Sequence, residues 1–121
     1  MDSGIVGEMA EMLASSQRGW VIGHFAEGPF KMSQFEVKLW EYVDQPIYPR
    51  KTFAGHEFIL VAGGALGLEL ILPSSEAKTI ILRGDLRQFT LLLPGTSKIV
   101  KVVSAPVWGV TVRWPLSTVS E

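Results

Sequence analysis

Beyond residue 19 the chain alternates between short apolar runs and clusters of turn-forming residues. Val, Ile, Leu, Phe and Trp suit a pleated, half-buried surface. They fill the stretches 20–25, 35–43, 56–62, 66–72, 78–83, 88–93, 98–103 and 107–114. Gly28-Pro29, Gln45-Pro46, Gly63-Gly64, Pro73-Ser74-Ser75, Gly84-Asp85, Pro94-Gly95 and Ala105-Pro106 punctuate them, and such residues mark turns. Short strands at this spacing predict an antiparallel sandwich or barrel. About eight of them suit a jelly roll or a small closed barrel, which also removes exposed edges.

Strand alternation assigns faces. Phe35, Val37 and Leu39 lie on one side, and Glu36, Lys38, Trp40 and Tyr42 on the other. Trp108, Val110, Val112 and Trp114 share a face opposite Gly109, Thr111 and Arg113. A face that mixes charged and aromatic side chains suits the wall of a partly polar cavity, or a solvent face.

The first residues follow a different period. Ile5, Met9, Met12 and Leu13 recur at helical spacing, with Val6 beside them, which predicts a helix over 3–17. Asp2 or Ser3 would cap it and Gly19 would stop it. Its single apolar stripe must lie on the barrel or on a partner. The expected organisation is a helix within 1–18 and one β domain over 19–121.

Composition narrows the chemistry. The 121 residues include no cysteine, 47% are hydrophobic and 19% are charged. That is one folded domain and too apolar to be disordered. Thiol catalysis, disulfide frameworks and thiolate metal sites are excluded. The net charge of -1 argues against nucleic acid as a partner, and no apolar run is long enough to span a membrane. The acidic N-terminus lacks the positive start of a signal peptide, so the expected location is cytoplasmic.

The small net charge conceals an asymmetry. Residues 1–49 hold seven acids against three bases, and residues 50–113 hold eight bases against four acids. A cleft formed by the second stretch would be electropositive and would concentrate anions.

Two segments resemble the cupin family of jelly-roll barrels. Glu57 to Leu72 reads as a glutamate, a six-residue apolar strand, the glycine turn at Gly64 and a further strand. Leu82 to Lys98 contains Gly84-Asp85 and then Pro94-Gly95, and the ending VTVRWP is similar to the last strand of small single-domain cupins. The resemblance covers about residues 20–115 and implies a mostly β, cupin-like jelly-roll barrel with one N-terminal helix. It also implies a homodimer.

The departures from the family pattern carry the functional expectation. Cupins place two histidines, one residue apart, before the motif glutamate. Those positions here are Arg50 and Thr52, or Lys51 and Phe53, and the later histidine position falls on Lys98. Of the metal ligands that the resemblance implies, only Glu57 remains. Protonated Lys and Arg offer no lone pair, so no metal and no cofactor is expected. Fixed cations in their place would bind an anion directly, Arg by bidentate contacts and Lys as a mobile point charge. Lys38, Trp40, Tyr42, Arg50, Lys51, Glu57, Lys98 and Arg113 are the candidate ligand-binding residues, with Trp114 a further ring for stacking. His24 and His56 are candidates for acid–base work or metal ligation with Glu57.

The leading expectation is a non-catalytic protein that senses or sequesters a small anionic molecule in the barrel mouth, such as a metabolite, nucleotide or sugar phosphate. The alternatives are a cupin enzyme of isomerase, lyase or oxygenase type, with or without metal, and an interaction module whose barrel is filled by its own side chains. Ala62 to Gly67 lacks the lysine and hydroxyl residue of a phosphate loop, and no nucleophile elbow is present.

Overall fold

The computed structural model describes residues 7–14, 18–44 and 48–114. A short helix, α1 (Met9–Ala14), precedes seven strands: β1 (Trp20–Ile22), β2 (Glu36–Tyr42), β3 (Lys51–Thr52), β4 (His56–Ile71), β5 (Ala77–Arg83), β6 (Phe89–Leu92) and β7 (Ser97–Trp114). All strand pairings are antiparallel, and the main path runs β1-β2-β7-β4-β5, with β3 on β7 and β6 on β4. The mostly β, jelly-roll-like architecture expected from the sequence is present.

Two predicted turns are strand interior. The runs 56–62 and 66–72 form one strand, β4, and the runs 98–103 and 107–114 form β7. Gly63-Gly64 does not reverse the chain. It inserts bulges, and the β4–β7 register shifts three times between Val61 and Leu66. Gly64 sits at φ +70°, where an added Cβ would lie 2.3 Å from the Pro106 carbonyl oxygen. Only glycine reconciles that backbone angle with the approach. On β7, the segment around Ala105-Pro106, a cis peptide, passes the bulge within the strand.

The bulges change which side chains point inward, because a one-residue slip moves every side chain to the other face. On β4 the buried residues are Glu57, Ile59 and Val61 before the bulge and Leu66, Leu68 and Leu70 after it. On β7, Val100 and Val102 pack on the core before the bend, while Val107 and Thr111 are buried after it. Both long strands therefore serve two halves of the barrel. The first half of β4 pairs with β6 and the end of β7, and the second half with β5 and the start of β7.

The core gathers Trp40, Ile59, Val61, Leu66, Leu68, Leu70, Leu82, Leu92 and Val107. Leu68, Val61 and Val107 are fully buried. Outside this core, α1 packs against β1 and β2, with Met9, Met12 and Leu13 half-buried. The Gly19 N–H donates to the Met12 carbonyl at 2.9 Å. The remainder of the predicted helix, at 1–6 and 15–17, lies outside the described residues. Among the described residues no helix is long and apolar enough to cross a membrane.

Candidate functional site

β2, β4 and the second half of β7 turn a polar face into the barrel. The register sets Lys38 opposite Thr111, Glu57 opposite Arg113, and Trp20 opposite Lys38. Val37, Leu39, Phe58, Leu60, Val110 and Val112 occupy the alternate positions and face outward. The alternation thus places charge inside this half of the barrel and apolar residues outside it.

Glu57 is the centre of the inner cluster, with its side chain 3% exposed. Lys98 reaches it from the first half of β7 and donates Nζ to Oε1. Arg113 donates Nε to Oε2 at 2.7 Å. Burial pushes the Glu57 carboxyl up, but the ion pairs and hydrogen bonds to Lys98 and Arg113 outweigh it, and its pKa lies below the usual value. The Arg113 guanidinium lies between two rings, 4.8 Å from the Trp20 centroid and 4.9 Å from that of Phe53. Such cation–π contacts hold its plane in place.

Lys38 adds a third cation. Burial, then the neighbouring positive charges of Arg113, Lys51 and Lys98, lower its pKa from the usual lysine value, with Glu57 opposing. Among the described residues it forms no ion pair, and its Nζ lies 5.4 Å from the Trp20 ring centroid. Trp40 and Tyr42 stack at 5.4 Å along the same wall, and Trp40 Nε1 donates to Thr111 Oγ1 at 3.0 Å. Burial, followed by the neighbouring Tyr48, pushes the Tyr42 hydroxyl up to about 12. Lys38, Trp40, Tyr42, Glu57, Lys98, Thr111 and Arg113 border a cavity of about 70 Å³.

Five of the candidate residues therefore converge with Glu57: Lys38, Trp40, Tyr42, Lys98 and Arg113. Arg50 and Lys51 do not line the cavity. Arg50 is exposed and donates from Nη1 to Ser97 Oγ at 3.0 Å, and Lys51 is exposed beside Lys98 in the β3–β7 register. Trp114 is on the outer face, 42% exposed. The structure does not bring His24 and His56 to Glu57. The His24 side chain is 75% exposed, 3.4 Å from Glu36, and His56 is exposed at the start of β4.

Trp20 and Phe53, the two rings that flank Arg113, are absent from the sequence-derived set. Phe53 lies in a turn between strands, where alternation assigns no face. Trp20 could have been found, since it opens the first predicted strand, but its register against Lys38 is a tertiary fact.

The donor set does not fit a cupin-type metal. It offers one carboxylate, two ammonium groups and one guanidinium, and the carboxylate already accepts from Lys98 and Arg113. Metal binding needs lone pairs that the cations lack. Among the described residues no three His, Asp or Glu side chains stand together as a ligand set.

Known structures share this fold. The chain is similar to a cupin superfamily protein from Desulfitobacterium hafniense, with a TM-score of 0.58 at 9% identity, over 74% of this chain and 72% of that one. It is similar to an oxalate oxidase in complex with the substrate analogue glycolate, with a TM-score of 0.56 at 10% identity, over 67% of this chain and 41% of that one. It also resembles Drosophila melanogaster CENP-C bound to CAL1, with a TM-score of 0.53 at 12% identity, over 87% and 89%. The fold is that of a small cupin-like domain. No family model and no curated protein matches the sequence.

Proposed function

We propose that the chain is a non-catalytic binding module that takes a single small anionic group, a carboxylate or phosphate, at Lys38, Lys98 and Arg113. One observation carries this reading: three cations line the cavity against one carboxylate, and among the described residues Lys38 forms no ion pair. A partly desolvated cation is stabilised by an anion that displaces water from it. Glu36 lies next to Arg113 in the register but is turned to His24.

The cavity volume narrows the ligand. At about 70 Å³ it is well below the roughly 300 Å³ of sites that enclose a drug-sized molecule. A nucleotide or sugar phosphate could place only its anionic group inside. Glycolate, held by the oxalate oxidase that shares the fold, is a ligand of suitable size.

The test is thermal unfolding in glycolate, oxalate and phosphate, against chloride at matched ionic strength. A ligand that binds only the folded state raises Tm with concentration. The expected result is a rise for wild type that Lys38→Met abolishes. No rise with any of the three, or an undiminished rise in the variant, overturns the proposal.

A second reading is an interaction module. The filled apolar core favours it, and a structure with the same fold is bound to another protein. It predicts no response to any anion.

A further inference from the structure

Lys38 and Arg113 are diagonal neighbours inside the barrel. Lys38 pairs with Thr111 across β2 and β7, and Arg113 stands two residues further along β7 on the same face. Diagonal side chains of this kind start about 7–8 Å apart, within reach of one another when they are long. Both cations lie over one ring: Lys38 Nζ is 5.4 Å and Arg113 Cζ 4.8 Å from the Trp20 centroid. With Lys98 and Glu57 they border the same small cavity.

The three cations are not equivalent. Lys98 and Arg113 each donate to the Glu57 carboxylate, and both keep further N–H donors for a second anion. Lys38 is half-buried and, among the described residues, forms no ion pair. A lysine amine becomes a nucleophile where it is desolvated or set beside another cation, because both disfavour the ammonium form. Lys38 meets both conditions: burial first, then Arg113, Lys51 and Lys98, lower its pKa against the pull of Glu57. Burial lowers the pKa of Lys98 as well, but its Nζ is engaged with Glu57.

We infer that, where this cavity holds an anion, Lys38 captures a small 2-oxo acid reversibly as an imine, with the acid's carboxylate on Arg113 and Lys98. In a 2-oxo acid the carbonyl carbon is bonded directly to the carboxylate. Fixing the carboxylate on two cations therefore brings the carbonyl to the amine beside them. The Nζ lone pair bonds to the carbonyl carbon, and the two N–H hydrogens of the neutral amine leave with the carbonyl oxygen as one water. A C=N bond replaces the C=O bond, and nothing is oxidised or reduced. The protonated imine restores a positive charge beside the carboxylate. A cavity of about 70 Å³ restricts the ligand to the smallest members of the class, such as glyoxylate or pyruvate.

The test treats the full chain with glyoxylate and sodium cyanoborohydride, which reduces the imine to a stable amine, and maps the peptides by mass. The expected result is one carboxymethyl group on Lys38, at glyoxylate concentrations that leave the exposed Lys31, Lys51, Lys78 and Lys101 unlabelled. Excess oxalate is expected to suppress it. Glycolaldehyde, which has the carbonyl without the carboxylate, is expected to label Lys38 more weakly, and Lys38→Met to lose the adduct from the intact mass. Labelling of Lys98 or of the exposed lysines in preference to Lys38 overturns the inference. So does an adduct that oxalate does not suppress, one that glycolaldehyde forms as readily, or one that survives in Lys38→Met. No adduct, with glycolate still raising Tm, overturns the covalent capture and leaves the anion site standing. No adduct and no rise in Tm overturns both.

Discussion

Glu57 and Arg113 stand directly opposite one another in the β4–β7 register, and Arg113 Nε donates to Glu57 Oε2 at 2.7 Å. The two lie 56 residues apart in sequence, and the pairing converts an isolated buried acid into the hub of the inner cluster. Removing one partner of a buried pair costs more than the pair contributes, because it strands the other charge. Glu57→Gln leaves Lys98, with 12% of its side chain exposed, facing Arg113 without a counter-charge. The expected loss of stability in urea is about 3 kcal/mol, the low end for buried pairs, since the Arg113 side chain keeps 25% exposure. Lys98→Met added to Glu57→Gln is expected to restore part of it.

The same cluster sets an acid limit. The Glu57 pKa is lower in the folded chain than in the unfolded one, where it is about 4.3. Its contribution is therefore present above that value and is lost as pH falls through the lower, folded-state value. Denaturant midpoints measured from neutral to acid pH should fall more steeply for wild type than for Glu57→Gln. Parallel slopes would show that Glu57 contributes nothing to acid lability.

Lys38 behaves in the opposite sense. Burial, followed by neighbouring cations, lowers its pKa, so its charge opposes folding near neutrality. Lys38→Met keeps the apolar stem and removes the charge, and its Tm is expected to exceed that of wild type in the absence of added anion. In wild type, anion affinity should weaken at alkaline pH as Lys38 deprotonates, beginning below the ordinary lysine range. Calorimetric titration with phosphate across that range checks the direction.

The bulge at Gly64 is a structural requirement. Gly64→Ala would place a methyl group 2.3 Å from the Pro106 carbonyl oxygen at φ +70°, and a strained backbone of this kind costs about 1–3 kcal/mol. Urea unfolding should show a loss of at least that size, because the β4–β7 pairing must also shift.

Leu68→Ala tests the core. Leu68 is 0% exposed, and a buried Leu→Ala change costs about 2–5 kcal/mol, depending on how far the cavity collapses. A loss below about 1 kcal/mol would show that the centre of the barrel is loosely packed.

The sequence determined the strand-rich character, most strand positions and which residues of β2 share a face, because apolar alternation is local and has a period of two, but not which face turns inward. Lys38, Trp40 and Tyr42 could be grouped on one face before any contact was known. The Gly63-Gly64 and Ala105-Pro106 segments read as turns because the residues that permit a turn also permit a bulge. Only the partner strand decides between the two. Arg50 and Lys51 could not be separated from Lys98 by spacing, since register decides whether a charge near a strand start faces water or the interior. Tertiary structure alone put Lys98 and Arg113, from the two ends of β7, onto Glu57, with Arg113 against the Trp20 and Phe53 rings. That convergence depends on a long strand bending across both halves of the barrel, and no local pattern records where such a strand bends.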